Sequence, residues 1–192
     1  MASHAPGALG LVQDFVNTLE MEPGPKAADI EQIGTPEALS AWLGERGLLP
    51  SDGTDGAAGA DDVARAFELR EAIRRLLFAN NGGSADQADL ALLNRRAGEC
   101  RLRPRFVTGG RMVLEPAAAG IQGALGRLLA AVSEAMSEGT WPRLKACADE
   151  ECRWAFYDTS KNRAGHWCSM ETCGNRAKAR QFRQRRRSVS PT

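Results

Sequence analysis

The sequence predicts a mostly α-helical fold with small β-hairpins, in the α+β class, in which a helical N-terminal domain precedes a small cysteine-rich domain. Three observations support this prediction. Apolar residues recur at helical spacing through much of residues 8–136, two short apolar runs flank a Gly-Gly pair, and four of the five cysteines lie after residue 140. We therefore divide the chain into domains of residues 1–138 and 139–192.

The first half of the N-terminal domain contains three predicted helices. The first covers residues 8–20 and is followed by the helix-breaking Pro-Gly-Pro of residues 23–25. The second begins after Thr35, which suits an N-cap, with Pro36 at the first helical position. The longest helix covers residues 61–80 and ends at an Asn-Gly-Gly sequence.

The second half of this domain continues with a helix, a hairpin and a final helix. Ser84, with Gln87 three residues later, predicts a capping box at the start of the fourth helix. Short apolar runs on either side of Gly109 and Gly110 predict a β-hairpin with a tight turn. The last helix is expected over residues 118–136 and leads into the C-terminal domain.

The charge of the chain is distributed unevenly along its length. The net charge is +1, but residues 141–192 contain 12 Lys and Arg against 5 Asp and Glu, whereas residues 1–140 contain 13 against 19. A basic region of this kind is attracted to polyanions. A polyanionic partner is therefore the first hypothesis for the C-terminal domain.

No segment has the pattern of a targeting signal or a membrane span. The first 15 residues lack a basic start and a continuous apolar stretch, and the least charged long stretch, residues 116–133, is interrupted by three glycines. We therefore expect a cytoplasmic protein that does not enter a membrane. In a reducing cytoplasm, clustered cysteines are more often metal ligands than disulfide partners.

Polar residues near the end of the first helix are the candidates for a ligand site in the N-terminal domain. Asp14, Asn17 and Thr18 lie on or beside an apolar helix and could face a small-molecule effector. The alternative, which the sequence favours, is that they make buried hydrogen bonds and end the helix. Because no nucleophile with a neighbouring base and no phosphate-binding loop is visible, the protein is not expected to be an enzyme.

Four cysteines form the strongest signal in the chain, with the spacing Cys147-x4-Cys152-x15-Cys168-x4-Cys173. Two chelating pairs separated by a hairpin-length segment can bring four thiolates to the corners of a tetrahedron, about 2.3 Å from a zinc ion. Such a closed site has no open position for substrate, so the pattern predicts one structural Zn²⁺. His166 is an alternative ligand, although with four cysteines available we expect it beside the site instead.

The segment between the two cysteine pairs supplies the apolar residues of this small domain. Trp154, Phe156, Tyr157 and Trp167 are expected to pack around two strands joined by a turn at residues 160–165. A module of this size buries too little surface to be stable alone. We therefore expect metal removal to unfold it while the N-terminal helices persist.

The residues around the second cysteine pair resemble a known family. The Cys-Gly-Asn-Arg tetrapeptide at residues 173–176, preceded by Trp-Cys-Ser-Met at 167–170, is similar to the CGNR zinc finger, and the resemblance covers about residues 141–187. Upstream, Asp-Phe-Val-Asn-Thr at residues 14–18 is similar to the opening of the ABATE domain, which commonly precedes this finger. The resemblance implies a stress-induced transcription regulator that binds nucleic acid through the finger.

A basic helix is predicted to follow the last cysteine. Seven of its residues are basic, namely Arg176, Lys178, Arg180, Arg183, Arg185, Arg186 and Arg187. Four of the arginines recur at i, i+4, i+7 and i+11 from Arg176 and therefore share one helix face. Such a row could lie in a DNA major groove, with some arginines at guanine edges and others on phosphates. Arg176 has an equally weighted alternative, as a neighbour of the zinc-bound sulfur.

The predicted function is a zinc-dependent DNA-binding protein that regulates transcription, with an N-terminal domain that senses a small molecule. RNA binding, with Trp154, Tyr157 or Trp167 as stacking surfaces, is one alternative. Another is a protein-interaction module whose basic helix docks on an acidic protein or on the acidic N-terminal domain. A homodimer that reads a two-fold DNA site is compatible with the DNA-binding hypothesis.

Overall fold

The computed structural model describes residues 3–21, 28–49 and 57–188, with the backbone alone at 186–188. Among these residues the α-helices are α1 (Ala8–Val16), α2 (Pro36–Glu45), α3 (Ala60–Ala79), α4 (Gln87–Glu99), α5 (Gly120–Ser137) and α6 (Asn175–Ser188). The strands are β1 (Leu19–Glu20), β2 (Ile30–Glu31), β3 (Leu102–Val107), β4 (Arg111–Pro116), β5 (Leu144–Ala146) and β6 (Ala155–Tyr157). Consecutive strands pair into three antiparallel hairpins. The predicted mostly α-helical fold with small hairpins is confirmed.

Helix α1 lies at the centre of the N-terminal core, in contact with α3 and α5. Its residues Val12, Phe15 and Val16 are fully buried because apolar side chains at helical spacing all point to one side. Burying a side chain of this size stabilises the fold by about 1.5–3 kcal/mol. Gly126 of α5 allows close packing here, since a Cβ there would lie 2.8 Å from the Cβ of Pro116 and 2.9 Å from the Cβ of Cys100.

The predicted helix starts are confirmed at α2 and wrong at α4. Thr35 caps α2, because its hydroxyl oxygen accepts a hydrogen bond from the Ala38 N–H at 3.2 Å. Helix α4 instead begins after Asp86, whose carboxylate accepts from the Ala88 N–H at 2.9 Å. A tertiary contact favours this later start, since it places Asp89 in the first turn, where its carboxylate is buried and paired with Arg75 of α3.

The hairpin of β3 and β4 has the predicted turn. Strand pairing runs from Leu102 opposite Pro116 to Val107 opposite Arg111, and both Gly109 and Gly110 have positive φ, at 80° and 71°. Residues without a Cβ adopt these angles without steric cost, which is why the Gly-Gly pair forms the turn. Strand β4 packs along α5 and joins the hairpin to the helical core.

The C-terminal hairpin differs from the prediction in its position. Strand β5 precedes Cys147 and pairs with β6, so the two strands flank the first cysteine pair, whereas both were expected between the pairs. The reason is packing: Leu144 and Ala146 of β5 are fully buried against the N-terminal helices and belong to the same hydrophobic core. Residues 160–165, predicted as the turn between the strands, form a loop after β6.

Candidate metal centre and basic helix

The four predicted ligands come together at one point of the C-terminal domain. Cys147 follows β5, Cys152 precedes β6, Cys168 lies in a loop, and Cys173 lies in a π-helical turn (Met170–Gly174) that continues directly into α6. All four Sγ atoms lie within 4.8 Å of one another, with 3.6 Å between Cys152 and Cys168 and 3.7 Å between Cys168 and Cys173. A tetrahedron with zinc–sulfur bonds of about 2.3 Å has edges of about 3.8 Å. The cluster therefore fits one structural Zn²⁺ and confirms the predicted donor set.

The thiol groups of the cluster perturb one another strongly. The hydrogen bond with Cys152 lowers the pKa of Cys147 to about 2, and the same interaction raises the pKa of Cys152 to about 12. Contacts with Cys147 and Cys152 raise the pKa of Cys168 far above its usual range. Without a cation, one thiolate thus suppresses ionisation of its neighbours. A bound Zn²⁺ supplies the positive charge that keeps all four thiolates ionised.

The first cysteine pair is closed by a tight turn of the backbone. The carbonyl oxygen of Asp149 accepts hydrogen bonds from the N–H groups of Cys152, at 2.9 Å, and Arg153, at 3.0 Å. The Cys147 N–H donates to the carbonyl oxygen of Trp154 at 2.9 Å, which keeps the two ends of the turn together. Arg153 has a φ of 48°, the left-handed conformation in which the chain reverses into β6.

The side chain of Asp149 connects this turn to the basic helix. Asp149 is fully buried, and its two carboxylate oxygens accept hydrogen bonds from Arg176 Nε at 2.6 Å and Arg180 Nη2 at 2.7 Å. Arg176 also directs Nη2 at the Cys173 sulfur, 3.3 Å away. Arg176 therefore lies beside the zinc-binding sulfur, as its alternative interpretation expected. The first two arginines of the predicted row, Arg176 and Arg180, therefore point towards the metal centre.

The remaining basic residues of α6 lie on its exposed surfaces. Lys178, Arg183 and Arg185 are exposed, as is Phe182. The side chains of Arg186 and Arg187 lie outside the described residues. The structure thus distinguishes the two arginines that contact Asp149 from the other basic side chains of α6 that it describes, which are exposed.

His166 and the aromatic residues have structural contacts in this domain. His166 Nδ1 lies 2.6 Å from Asn81 Oδ1 of the N-terminal domain, and its ring meets Trp167 edge-on at 5.7 Å, so it is placed beside the cluster and not in it. Phe156 is buried, and Tyr157 packs against the main core. Trp154 is half-buried.

The loop after β6 is fixed by a buried ion pair. Lys145 Nζ donates to Asp158 Oδ2 at 2.8 Å and also to the carbonyl oxygens of Arg163 and Gly165, so its three protons are all used. Asp158 accepts further hydrogen bonds from the N–H groups of Ser160 and Gly165. Burial alone would raise the pKa of Asp158, but these hydrogen bonds, the one from Lys145 first, lower it below its usual range. A Cβ at Gly165 would lie 3.0 Å from this carboxylate, so a larger residue there would have to displace the ion pair slightly.

Asn17, predicted as a possible ligand contact, joins α1 to the finger. Its side-chain oxygen accepts from the Ala155 N–H at 2.8 Å, and its amide donates to the Ala155 carbonyl oxygen at 3.0 Å. The side chain thus takes the place of a neighbouring strand beside β6. Gln13 of α1 also donates to the Ala155 carbonyl oxygen, at 3.1 Å.

The other two candidate ligand residues also have contacts within the protein. Thr18 is fully buried, donates to the Phe15 carbonyl oxygen at 2.9 Å and accepts from Arg70 of α3 at 3.0 Å. Asp14 lies 2.9 Å from the His4 ring at the surface. The structure therefore gives Asn17 and Thr18 the buried hydrogen bonds that their alternative interpretation expected.

The C-terminal end of α3 holds the finger at a second point. Asn80 donates to the carbonyl oxygens of Trp141 and Leu144, both at 2.9 Å. Asn81 donates to the carbonyl oxygens of Ala146, at 2.9 Å, and His166, at 2.8 Å. These two asparagines, with Asn17, form hydrogen bonds with backbone groups in both strands of the β5–β6 hairpin and in the loop before Cys168.

We expect Asn17→Ala to lower the free energy of unfolding by about 1–3 kcal/mol, because it leaves the buried Ala155 N–H without a partner. The Ala155 carbonyl oxygen keeps its bond from Gln13. Urea unfolding measures the effect. Asp14→Ala, three residues away on the exposed side of α1, is the control and should stay within about 0.5 kcal/mol of the original protein. Equal losses from both substitutions would show that Asn17 is not specifically required.

Among the described residues, no helix combines the length and the apolar character needed to cross a membrane.

Two family models match the chain. The ABATE model, whose description is "Putative stress-induced transcription regulator", matches residues 9–139, and the CGNR zinc finger model matches residues 143–186. No curated protein matches the chain. The second match covers all four clustered cysteines and most of the basic helix, and the first covers more than half of the chain. The chain therefore belongs to the ABATE family and carries a C-terminal CGNR zinc finger.

Proposed function

We propose that this protein is a zinc-dependent, DNA-binding regulator of transcription that acts in the cytoplasm and has no catalytic role. One observation carries the proposal: the four-cysteine site continues without a break into a helix whose exposed surface is basic. The ligand Cys173 lies in the turn that becomes α6, so the metal fixes the first residues of the helix. A rigid cationic helix loses little conformational entropy when it binds phosphates.

The distribution of charge supports a polyanionic partner. Residues 141–192 have 12 basic and 5 acidic residues, and one of those acids, Asp149, is buried beneath α6. Another, Asp158, is buried in its pair with Lys145. Because Lys145 is buried with Asp158 and two arginines pair with Asp149, these contacts remove basic as well as acidic groups, and the surface of the finger keeps an excess of positive charge. Attraction to DNA phosphates follows from this surface, and sequence recognition would come from groove contacts that α6 makes once it is bound.

RNA binding that stacks bases on Trp154, Tyr157 or Trp167 is less favoured than binding to duplex DNA, because of where these three side chains lie. Base stacking requires an exposed ring face. Tyr157 packs against the hydrophobic core, and Trp154 and Trp167 are half-buried. An acidic protein remains the competing partner, since it would meet the same charges. We propose no effector for the N-terminal domain, although a groove of about 760 Å³ lies between β4 and α5.

The test is a fluorescence-anisotropy titration of zinc-loaded protein with a labelled duplex at several salt concentrations. Log affinity should fall linearly with log salt, with a negative slope of several units, because each phosphate contact contributes about −0.9. Unlabelled single-stranded RNA should compete less well than unlabelled duplex. A slope near zero would overturn the proposal. Stronger competition by the RNA than by the duplex would show that RNA, and not DNA, is the preferred partner. Selection from a random duplex pool then identifies the target sequence.

A further inference from the structure

We propose that Asp149 acts as a clamp that orients α6, that Arg176 and Arg180 are positioning residues held by this clamp, and that the opposite side of the helix contacts DNA phosphates. We call that opposite side, made of Lys178, Gln181 and Arg185, the outer face. The assignment of the outer face depends on the function proposed above. The clamp itself depends only on contacts within the finger.

The clamp is one fully buried carboxylate between two guanidinium groups. Each oxygen of Asp149 accepts one charged hydrogen bond, at 2.6 Å from Arg176 and 2.7 Å from Arg180. The two arginines are one helical turn apart, so both bonds together fix the direction of the helix axis as well as its position. Asp149 lies between Cys147 and Cys152, so the first cysteine pair is tied to the helix that follows Cys173.

The clamp keeps both arginines away from an outside partner. If either moved to a phosphate, the Asp149 carboxylate would lose a charged hydrogen bond while remaining buried, which is strongly unfavourable. Arg176 has a further contact with the Cys173 sulfur, where its charge offsets the negative charge of four thiolates on one Zn²⁺. Both guanidinium groups therefore already have hydrogen-bond partners within the finger. Their charges are neutralised within the finger and contribute little to binding DNA.

The outer face lies on the side of α6 opposite Asp149. At about 100° per residue, Lys178 lies about 200° and Arg185 about 180° around the axis from Arg176. Lys178, Gln181 and Arg185 are all exposed. Their spacing of i, i+3 and i+7 forms one continuous stripe, two cations with an amide between them. Positive charge on an exposed helix face is complementary to a phosphate backbone, and the amide is a donor that can bond to a phosphate oxygen or a base edge.

The salt dependence of DNA binding distinguishes the two sides of the helix. If all seven basic residues of α6 met phosphates, the slope would approach about −6; with Arg176 and Arg180 withdrawn, at most five remain, and we expect a slope no steeper than about −4.5. The matched variants are Arg180→Gln and Arg185→Gln, which remove the same charge by the same substitution on opposite sides of one helix. Arg185→Gln should make the slope less negative by about 0.9, and Arg180→Gln should leave it unchanged. The inference is overturned if Arg180→Gln changes the slope as much as Arg185→Gln does, or if Arg185→Gln leaves it unchanged.

A second measurement tests the clamp without nucleic acid. In zinc-loaded protein, Asp149→Asn should increase amide hydrogen exchange in α6 by about tenfold or more, while exchange in α1, α3 and α5 stays the same. Zinc content is measured in every sample, and Arg180→Gln, which removes only one arm of the clamp, serves as the milder variant if Asp149→Asn loses the metal. Unchanged exchange in α6 for both variants would overturn the clamp. If the original protein does not bind DNA but the exchange of α6 rises as expected, the proposed function and the outer face fail while the clamp stands.

Discussion

Removing zinc with a chelator is expected to abolish the structure of residues 139–192, including α6 and the β5–β6 hairpin, while helices α1 to α5 persist. Structural zinc in finger peptides contributes roughly 10–16 kcal/mol, which is comparable to or larger than the net stability of a whole domain, about 5–15 kcal/mol. Most of the hydrophobic core, including Phe15 and Ile73, comes from the N-terminal helices and does not involve the metal, although β5 and β6 also contribute residues to it. Circular dichroism should show a partial loss of helix signal that returns when one equivalent of Zn²⁺ is added.

Two cysteine variants provide the matched control for zinc removal. Cys173→Ser should reproduce the effect of the chelator, because it removes one of the four ligands next to α6. Cys100→Ala, at the one cysteine outside the cluster, removes a buried thiol and should retain one zinc per chain. If the chelator unfolded α1 to α5 to the same extent as the finger, the division at residue 139 would be wrong.

The second large effect is expected from Asp158→Ala, which should lower the free energy of unfolding by about 3–5 kcal/mol. The substitution leaves the Lys145 ammonium buried without its counter-charge and also frees the Ser160 and Gly165 N–H groups. For a chain of this length, a loss of that size lowers Tm by roughly 10 °C. Differential scanning calorimetry of the zinc-loaded protein measures it.

An exposed ion pair is the control for this substitution. Glu115→Ala removes the partner of Arg105 in the β3–β4 hairpin, where both side chains are about half exposed, and should cost no more than about 1 kcal/mol. The pH dependence gives a further check. Because the folded pKa of Asp158 is lowered, its contribution is complete above the unfolded value, about 3.9, and is lost as the pH falls through the folded value. Equal losses from Asp158→Ala and Glu115→Ala would contradict a special role for burial.

The sequence was sufficient for the features that depend on local chemistry. The zinc site could be predicted because two chelating pairs leave few arrangements for four thiolates. The β3–β4 turn could be predicted because only glycine adopts the φ values of Gly109 and Gly110 without cost. The α4 start was wrong because two capping residues, Ser84 and Asp86, lie two positions apart, and the contact of Asp89 with Arg75 favours the second.

Features that depend on distant contacts could not be predicted in the same way. Asn17 bonds to Ala155, which lies 138 residues further along the chain, and Asn80 bonds to Leu144. Helical spacing also predicted that four arginines share one face of α6. It could not predict which residue of the finger this face contacts. The contact that the sequence analysis missed is the one with Asp149. An acidic residue between two paired cysteines, in a chain that continues into a run of arginines, is the sequence signal that could have identified Asp149.

The three asparagines that hold the finger have a consequence for its use as a separate part. Zinc fingers are often regarded as cassettes that can be moved from one protein to another. A cassette excised from this chain would expose the backbone groups that Asn17, Asn80 and Asn81 now satisfy, together with the buried side chain of Leu144. A portable version therefore has to carry α1 and the end of α3 with it, or a redesigned surface in their place.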